Sequence, residues 1–442
     1  MKGQEYFMKK KSVAALVIAM AVGILAGCGD GGDGPSAPVT TLNPSPIITD
    51  PPEGSDTPNT DGQQPEESEP EPGEVISSDG MMSGGETHTI GARTVVDGRM
   101  QSWLTGEWKD EAVAGRRNMA VMIPNNKRGG YKNSSPLMKQ HGISYASIIY
   151  EAPVEGRITR LMGIFEDYDD LDFIGPVRSS RDYYIHEAMS FDSIYVNWGL
   201  AIPWVEKLIE SSHIDNISTD PVIDNSYDRA FERNKDMMPG AATEFTGVLN
   251  VQKFGEGVEA RGYEKKYRST FVKAFEFADD DYLATYDSCP NATKVYPGGT
   301  QTNSGGYGSH NPCFEYNAAD RLYYRSQWGA PHTCGLTGEQ LTVTNVIFKV
   351  CHGSRKEPDN PKSDYLDFVT DGSGKAYVFT NGKVIEGTWE RKGASDPSYG
   401  NYFNPNPTLY YDMAGNEIVL NQGKTWICCI WDDYEQYISW EE

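Results

Sequence analysis

The chain has 442 residues and a formal net charge of −24 at pH 7, with 63 Asp and Glu against 39 Lys and Arg. That length leaves room for two domains. So acidic a chain argues against nucleic acid and anionic lipid surfaces as natural partners.

The N-terminus carries an address. Lys9, Lys10 and Lys11 precede an apolar run from Val13 to Leu25, and Leu25-Ala26-Gly27-Cys28 closes it. Thirteen helical residues rise only about 20 Å, short of a bilayer core of roughly 30 Å. The pattern predicts a lipoprotein signal peptide over residues 1–27, removed on export, and not a transmembrane helix. Cys28 is the expected lipidation site, its acyl (palmitate) chains anchoring the protein to the membrane on the extracytoplasmic face. Residues 28–92 hold thirteen acidic residues, ten prolines and no Lys or Arg. Such a segment cannot bury a core and reads as a disordered acidic tether. Its end-to-end reach of roughly 45 Å suits wall level in a Gram-positive envelope. Taking the signal's +3 and the tether's −13 from the total of −24 leaves −14 on the rest.

The fold class expected of that rest is α+β. A mixed α/β-layer domain over 93–260 is followed by a β-rich domain over 261–442. Met119 to Ile123, Ser147 to Tyr150, Ile158 to Phe165 and Ser193 to Trp198 read as strands. Ser179 or Ser180 is placed to N-cap a helix through Tyr184 and Glu187 to about Met189. Pro203 to Ser211 reads as a second helix, with apolar Val205, Leu208 and Ile209 on one side.

From about Phe271 the pattern is β throughout. The runs are Phe271 to Phe277, Leu322 to Gln327, Val343 to Val350, Lys375 to Thr380, Lys383 to Glu390, Thr408 to Tyr411 and Thr425 to Trp431. Asn381-Gly382 between two of them predicts a tight hairpin. Six cysteines fall in this half, an even number that in an exported chain favours disulfides. Cys289–Cys313 and Cys334–Cys351 are the sequence-local pairings. Cys428-Cys429 is awkward, since adjacent strand residues point to opposite faces. A zinc site is the competing reading, because His310, His332 and His352 each lie within three residues of a Cys; no C-x-x-C knuckle supports it. No metal or cofactor is expected.

The densest chemistry lies in Tyr150-Glu151-Ala152-Pro153-Val154-Glu155-Gly156-Arg157-Ile158-Thr159-Arg160-Leu161-Met162. It continues in Ile174-Gly175-Pro176-Val177-Arg178-Ser179-Ser180-Arg181-Asp182. These two blocks resemble the YerB lipoprotein family, with its Y-E-A-P-V-E-G-x-I-T-R-L-M and I-G-P-V-R-S-x-R patterns. Gly372-Ser373-Gly374-Lys375-Ala376, Gly382 to Trp389 and Gly423-Lys424-Thr425-Trp426-Ile427 extend the resemblance to nearly all of Arg117 to the C-terminus. Asp182 stands where that family often has Pro, and the cysteines are no part of its pattern. The resemblance implies domains and address and no assigned reaction.

Along the strand from Ile158, alternation puts Arg160, Met162 and Ile164 on one face and Thr159, Leu161 and Phe165 on the other. An Arg on an apolar face needs a carboxylate or an anionic ligand. Arg178 and Arg181 flank Ser179-Ser180 at a helix start, where free amides attract anions. Arg160, Arg178 and Arg181 are therefore the candidate anion site, with the amides after Ser179 completing it. Glu151 and Glu155 would orient the arginines, and Asp182 would pair with Arg160 or hold a metal. The alternative is a structural network in which those carboxylates merely neutralise the arginines. Three functions stay open. One is an extracytoplasmic lipoprotein that binds an anionic wall or peptide ligand. Another is an enzyme on phosphorylated or lipid-linked wall intermediates. The spacing of Thr159-Arg160-Leu161-Met162 and Ser180-Arg181-Asp182 is faintly similar to wall-polymer ligases of the LytR-CpsA-Psr type, though the Asp of their first block is absent. The third is a transporter-associated solute receptor.

Overall fold

The apolar runs read from the sequence become neighbours in one sheet. A computed structural model describes residues 87–90, 93–201, 204–210, 213–219, 228–299, 306–360, 362–393 and 404–442. The signal peptide, Cys28 and most of the expected tether lie outside them. The end of that tether is ordered: Thr87–Ile90 is a strand paired with Arg93–Val96, so the body begins earlier than expected.

Ten strands form the main sheet: β1 Met119–Asn125, β2 Ile148–Val154, β3 Ile158–Phe165, β4 Ile194–Trp198, β5 Asn216–Thr219, β6 Asn345–Cys351, β7 Gly372–Thr380, β8 Lys383–Arg391, β9 Leu409–Asp412 and β10 Thr425–Trp431. Their order is β5-β4-β1-β3-β2-β10-β6-β7-β8-β9. The main sheet takes strands from both sides of the expected boundary at residue 260. β2 lies parallel to β10, with Glu151 opposite Cys428, and residues 80–442 form one compact unit. The two signature segments around Glu151 and Trp426 thus meet side by side at the middle of the sheet.

Strand dominates. Among the described residues the α-helices are α1 Glu111–Ala114, α2 Asp182–Met189, α3 Glu206–Ile209 and α4 Val251–Arg261. Alternation along β3 holds as expected: Met162 and Ile164 enter one apolar cluster with Tyr183, Tyr184, Ile185, Val205 and Leu208. Leu161 and Phe165 enter the other, with Phe254 and Val258 of α4. Both faces are covered, which is why β1 and β2 are buried at every position and read as continuous apolar runs.

Three local expectations change. Ser180 does not cap α2: the cap position is Arg181, with no side-chain hydrogen bond. The Ser180 hydroxyl instead meets the Tyr195 hydroxyl at 2.7 Å. The β run from Phe271 shrinks to Glu276–Phe277. Helix α4 was not read from the sequence, although Asn250 caps its start by accepting from the Lys253 amide and Gly262 ends it at φ +67°. The hairpin at Asn381-Gly382 is as expected, with both residues at positive φ, +49° and +69°, closing Thr380 onto Lys383.

All six described cysteines are free thiols, so no expected disulfide is formed. For one pair the reason is topological. Cys351 belongs to the cluster on one sheet face and Cys334 to the cluster on the other. A disulfide spans only about 4.4–6.8 Å between Cα atoms, less than the roughly 10 Å between packed layers. Non-reducing peptide mapping should therefore yield no Cys334–Cys351 crosslink; its recovery from folded protein would contradict this topology.

Candidate anion-binding site

The site begins where two parallel strands part. β1 and β4 pair in parallel over Met119–Val121 and Ile194–Val196. Beyond that the loop before α2 slides between them: the Arg178 amide donates to the Met122 carbonyl at 2.9 Å, and the Trp198 amide donates to the Arg178 carbonyl at 3.0 Å. The Ser180 amide donates to the Gly199 carbonyl at 3.0 Å. The loop thus fills the gap beyond the carboxyl ends of these two parallel strands.

Arg160 comes up beneath this loop from β3, in register with Pro124 and Ala152. It is buried, 6 % exposed, and its Nη1 donates to the Ser179 carbonyl at 2.6 Å. Burial pushes its pKa down to about 10, Arg181 and Arg178 push the same way, and Glu155 partly offsets them. It stays charged at neutral pH. Arg178 is half-buried; its Nη1 donates to the Glu244 carbonyl at 3.0 Å, its guanidinium lies 4.6 Å from the Phe245 ring centre, and its buried Nε has no partner. Among the described residues neither Arg160 nor Arg178 has a carboxylate within ion-pair distance. Both guanidinium groups end on neutral carbonyls.

The other predicted residues divide. Arg181 is neutralised: Nε donates to Glu155 Oε1 at 2.8 Å, and Nη2 pairs with Oε2 of the same carboxylate. Glu155 thus holds Arg181 in place. Asp182 turns away from Arg160 and accepts from Lys356 Nζ at 2.6 Å. Its ion pair is therefore with Lys356 and not with Arg160. The Ser180 amide is spent on Gly199, so the expected amide cradle is narrower than a full turn. Sequence reasoning missed Trp198, Phe245 and Arg233, which complete the surroundings. Only long-range topology brings them here, and no local spacing marks them. A cleft of about 480 Å³ elsewhere is ringed by Glu107, Asp279, Asp280, Asp281 and Asp320; that rim repels anions.

Glu151 is not part of this site. It is fully buried and accepts five hydrogen bonds: from Arg325 Nη2 at 2.7 Å, Thr159 Oγ1 at 2.5 Å, Trp426 Nε1 at 3.0 Å, His310 Nε2 at 3.0 Å and Asn125 Nδ2 at 3.2 Å. Burial alone would raise its carboxyl, but Arg325, with help from His310 and Thr159, holds it well below the ordinary carboxylate range. His310 and His332, weighed above as zinc ligands, belong to this network. His332 Nδ1 faces the Arg325 Nη1 donor at 3.0 Å and its Nε2 meets Gln140 Oε1 at 2.7 Å. Because Nδ1 must accept, this ring is neutral. His352 instead pairs with Asp432 at 2.8 Å.

This arrangement fixes a pH dependence. Burial pushes His186, His310 and His332 below their ordinary 6.5. Above pH 6.5 the rings are neutral in folded and unfolded chains alike. As pH falls below that value the unfolded chain takes up protons that the folded one resists, so stability falls. Below about pH 4.3 the unfolded Glu151 carboxyl also protonates while the folded one does not, steepening the loss. Melting curves should move down steadily from pH 7 to pH 5 and more sharply below pH 4.5. A flat melting temperature between pH 7 and 5 would contradict the neutral, buried rings.

The comparisons with known proteins agree with this frame. A model described as "Protein of unknown function (DUF3048) N-terminal domain" matches residues 104–264. Its companion for the C-terminal domain matches residues 304–427. The chain belongs to the DUF3048 family. Among its relatives is a Bacillus subtilis (strain 168) protein named "Putative lipoprotein YerB". It is 26% identical over 329 residues, spanning 74% of this chain and 86% of that protein. The crystal structure of YerB protein from Bacillus subtilis aligns with a TM-score of 0.60 at 23% identity, covering 77% of this chain and 99% of that one. The fold is therefore shared. Glu151, Thr159 and Trp426, residues of the signature blocks, meet in the buried network, while Arg160 and Arg181 bond carbonyls of the loop that holds Arg178.

Proposed function

We propose that this DUF3048 protein is a lipid-anchored extracytoplasmic lipoprotein whose N-terminal half, a mixed αβ layer, binds an anionic group of an envelope ligand at Arg160 and Arg178. The reading rests on one observation: these two neighbouring guanidinium groups have no carboxylate partner among the described residues, in a chain of net charge −24. Arginine's planar fork binds phosphate or carboxylate bidentately, and half-buried Arg178 reaches the surface at the loop before α2. The anchor follows from Leu25-Ala26-Gly27-Cys28 and is supported by the name of the YerB relative. The test is calorimetric titration of the mature chain with inorganic phosphate against a chloride control at low ionic strength. Saturable heat with phosphate alone is expected; no difference from chloride would overturn the reading.

A further inference from the structure

A cleft lies at the other end of β2, where β2 and β10 both begin. Thr425 stands opposite Ile148, and the Thr425 amide donates to the Ser147 carbonyl at 3.1 Å. Arg160 stands opposite Ala152, further along β2 by about 13 Å at strand spacing. The cleft holds about 330 Å³, at the small end of the roughly 300–1,000 Å³ range of ligand pockets.

Its lining divides by chemistry. Tyr145, Ile149 and Leu341 form an apolar wall, and Lys109, Ser144 and Lys424 bring polar atoms to it. Lys109 is already neutralised, its Nζ 2.7 Å from Glu166 Oε1 and 3.8 Å from Glu107 Oε2. Lys424 differs. Its Nζ donates to the Ser144 carbonyl, a neutral acceptor, and among the described residues no carboxylate lies within ion-pair distance of it. The buried hydroxyl of the same Ser144 has no nitrogen or oxygen partner. Its neighbour is the Cys334 sulfur, a weak acceptor. An ammonium and a hydroxyl, both short of a strong acceptor, thus line one cleft beside an apolar wall. Asp167 and Glu339, exposed at its rim, stand against a multiply charged ligand such as phosphate.

We propose that this cleft is a second binding site, independent of Arg160 and Arg178, and that it takes the C-terminal carboxylate of a short peptide whose last side chain is apolar. The Lys424 ammonium answers the single charge, as a point charge without arginine's fixed fork. The Ser144 hydroxyl donates to the same carboxylate, a charge-assisted bond stronger than its contact with sulfur. The wall of Tyr145, Ile149 and Leu341 takes the last side chain out of water. The rim carboxylates favour a neutral or basic residue further back in the peptide.

The experiment compares acetyl-alanyl-leucine with its C-terminal amide on the mature lipidated chain in neutral detergent micelles, by calorimetry against empty micelles. The acid should bind about tenfold more tightly than the amide, and acetyl-alanyl-glycine several-fold more weakly than the leucine acid. Lys424→Gln should weaken the acid by about tenfold and the amide by less than about threefold, so that the preference collapses. Lys424→Arg should restore part of it, since the charge returns. Where Lys424→Gln does not fold, Ser144→Ala carries the same test, weakening the acid by about threefold and leaving the amide unchanged. Inorganic phosphate should not displace the acid. Displacement by phosphate would place the carboxylate at Arg160 and Arg178, overturning this inference while supporting that site. Equal affinity for acid and amide, equal affinity for leucine and glycine ends, or a preference unchanged in Lys424→Gln would each overturn it as well. Absence of binding by the acid would overturn it and leave the phosphate titration to decide the anion site separately.

Discussion

Glu151→Ala should destabilise the protein by about 3–5 kcal/mol, because it strands the Arg325 guanidinium in the interior without its counter-charge. Arg325 is fully buried and its remaining contacts are neutral or aromatic: His332 at 3.0 Å and the Trp426 ring centre at 4.3 Å. Thr159, Trp426, Asn125 and His310 lose an acceptor at the same time, each at a further desolvation cost. Glu151 sits on β2 where it meets β10, so the loss falls on the seam between residues of the two family domains. Urea unfolding of wild type and variant measures it directly. Replacing both partners, Glu151→Leu with Arg325→Met, should recover much of the loss, since no charge is then left unpaired. A loss under 1 kcal/mol in the single variant would show that the network does not hold the seam.

Arg160→Gln should behave in the opposite way. It removes a guanidinium that has no carboxylate partner among the described residues and gives up one hydrogen bond, that to the Ser179 carbonyl. Stability should change by no more than about 1 kcal/mol, the scale of one ordinary hydrogen bond, and relief of repulsion acts in its favour. Phosphate affinity should fall by about 10–100-fold, the equivalent of a charge-assisted bond worth roughly 1.5–3 kcal/mol. The contrast separates the two roles first considered for these arginines. If Arg160 were a structural ion pair, the melting temperature would drop and the binding signal would only follow the folded fraction.

Much of the framework is legible in local pattern. β3 and β10 occupy the runs Ile158 to Phe165 and Thr425 to Trp431 read from composition, because both faces of the sheet are covered and their apolar residues are continuous. The Asn381-Gly382 turn is legible because only residues tolerant of positive φ close so short a hairpin. What pattern alone does not carry is pairing at long range. Nothing near Glu151 says that Trp426 and Arg325, far along the chain, will share its carboxylate. A lone Glu inside the apolar run Ile148–Val154 is nonetheless a cue for a buried, paired charge. For the same reason Asp182, read as a partner for Arg160 or a metal, is taken by Lys356, and Arg233 comes to lie over Trp198 only through the packing of its strand. Capping failed at Ser180 because the Tyr195 hydroxyl on β4 competes for its side chain.

The most direct measurement is a crystal of the mature domain grown with tungstate, a tetrahedral dianion whose anomalous scattering locates it without ambiguity. A peak is expected within hydrogen-bond distance of the Arg160 and Arg178 guanidinium groups, and it should weaken in Arg160→Gln. No tungstate at these arginines, with a carboxylate of the chain itself bonded to both, would contradict the anion site.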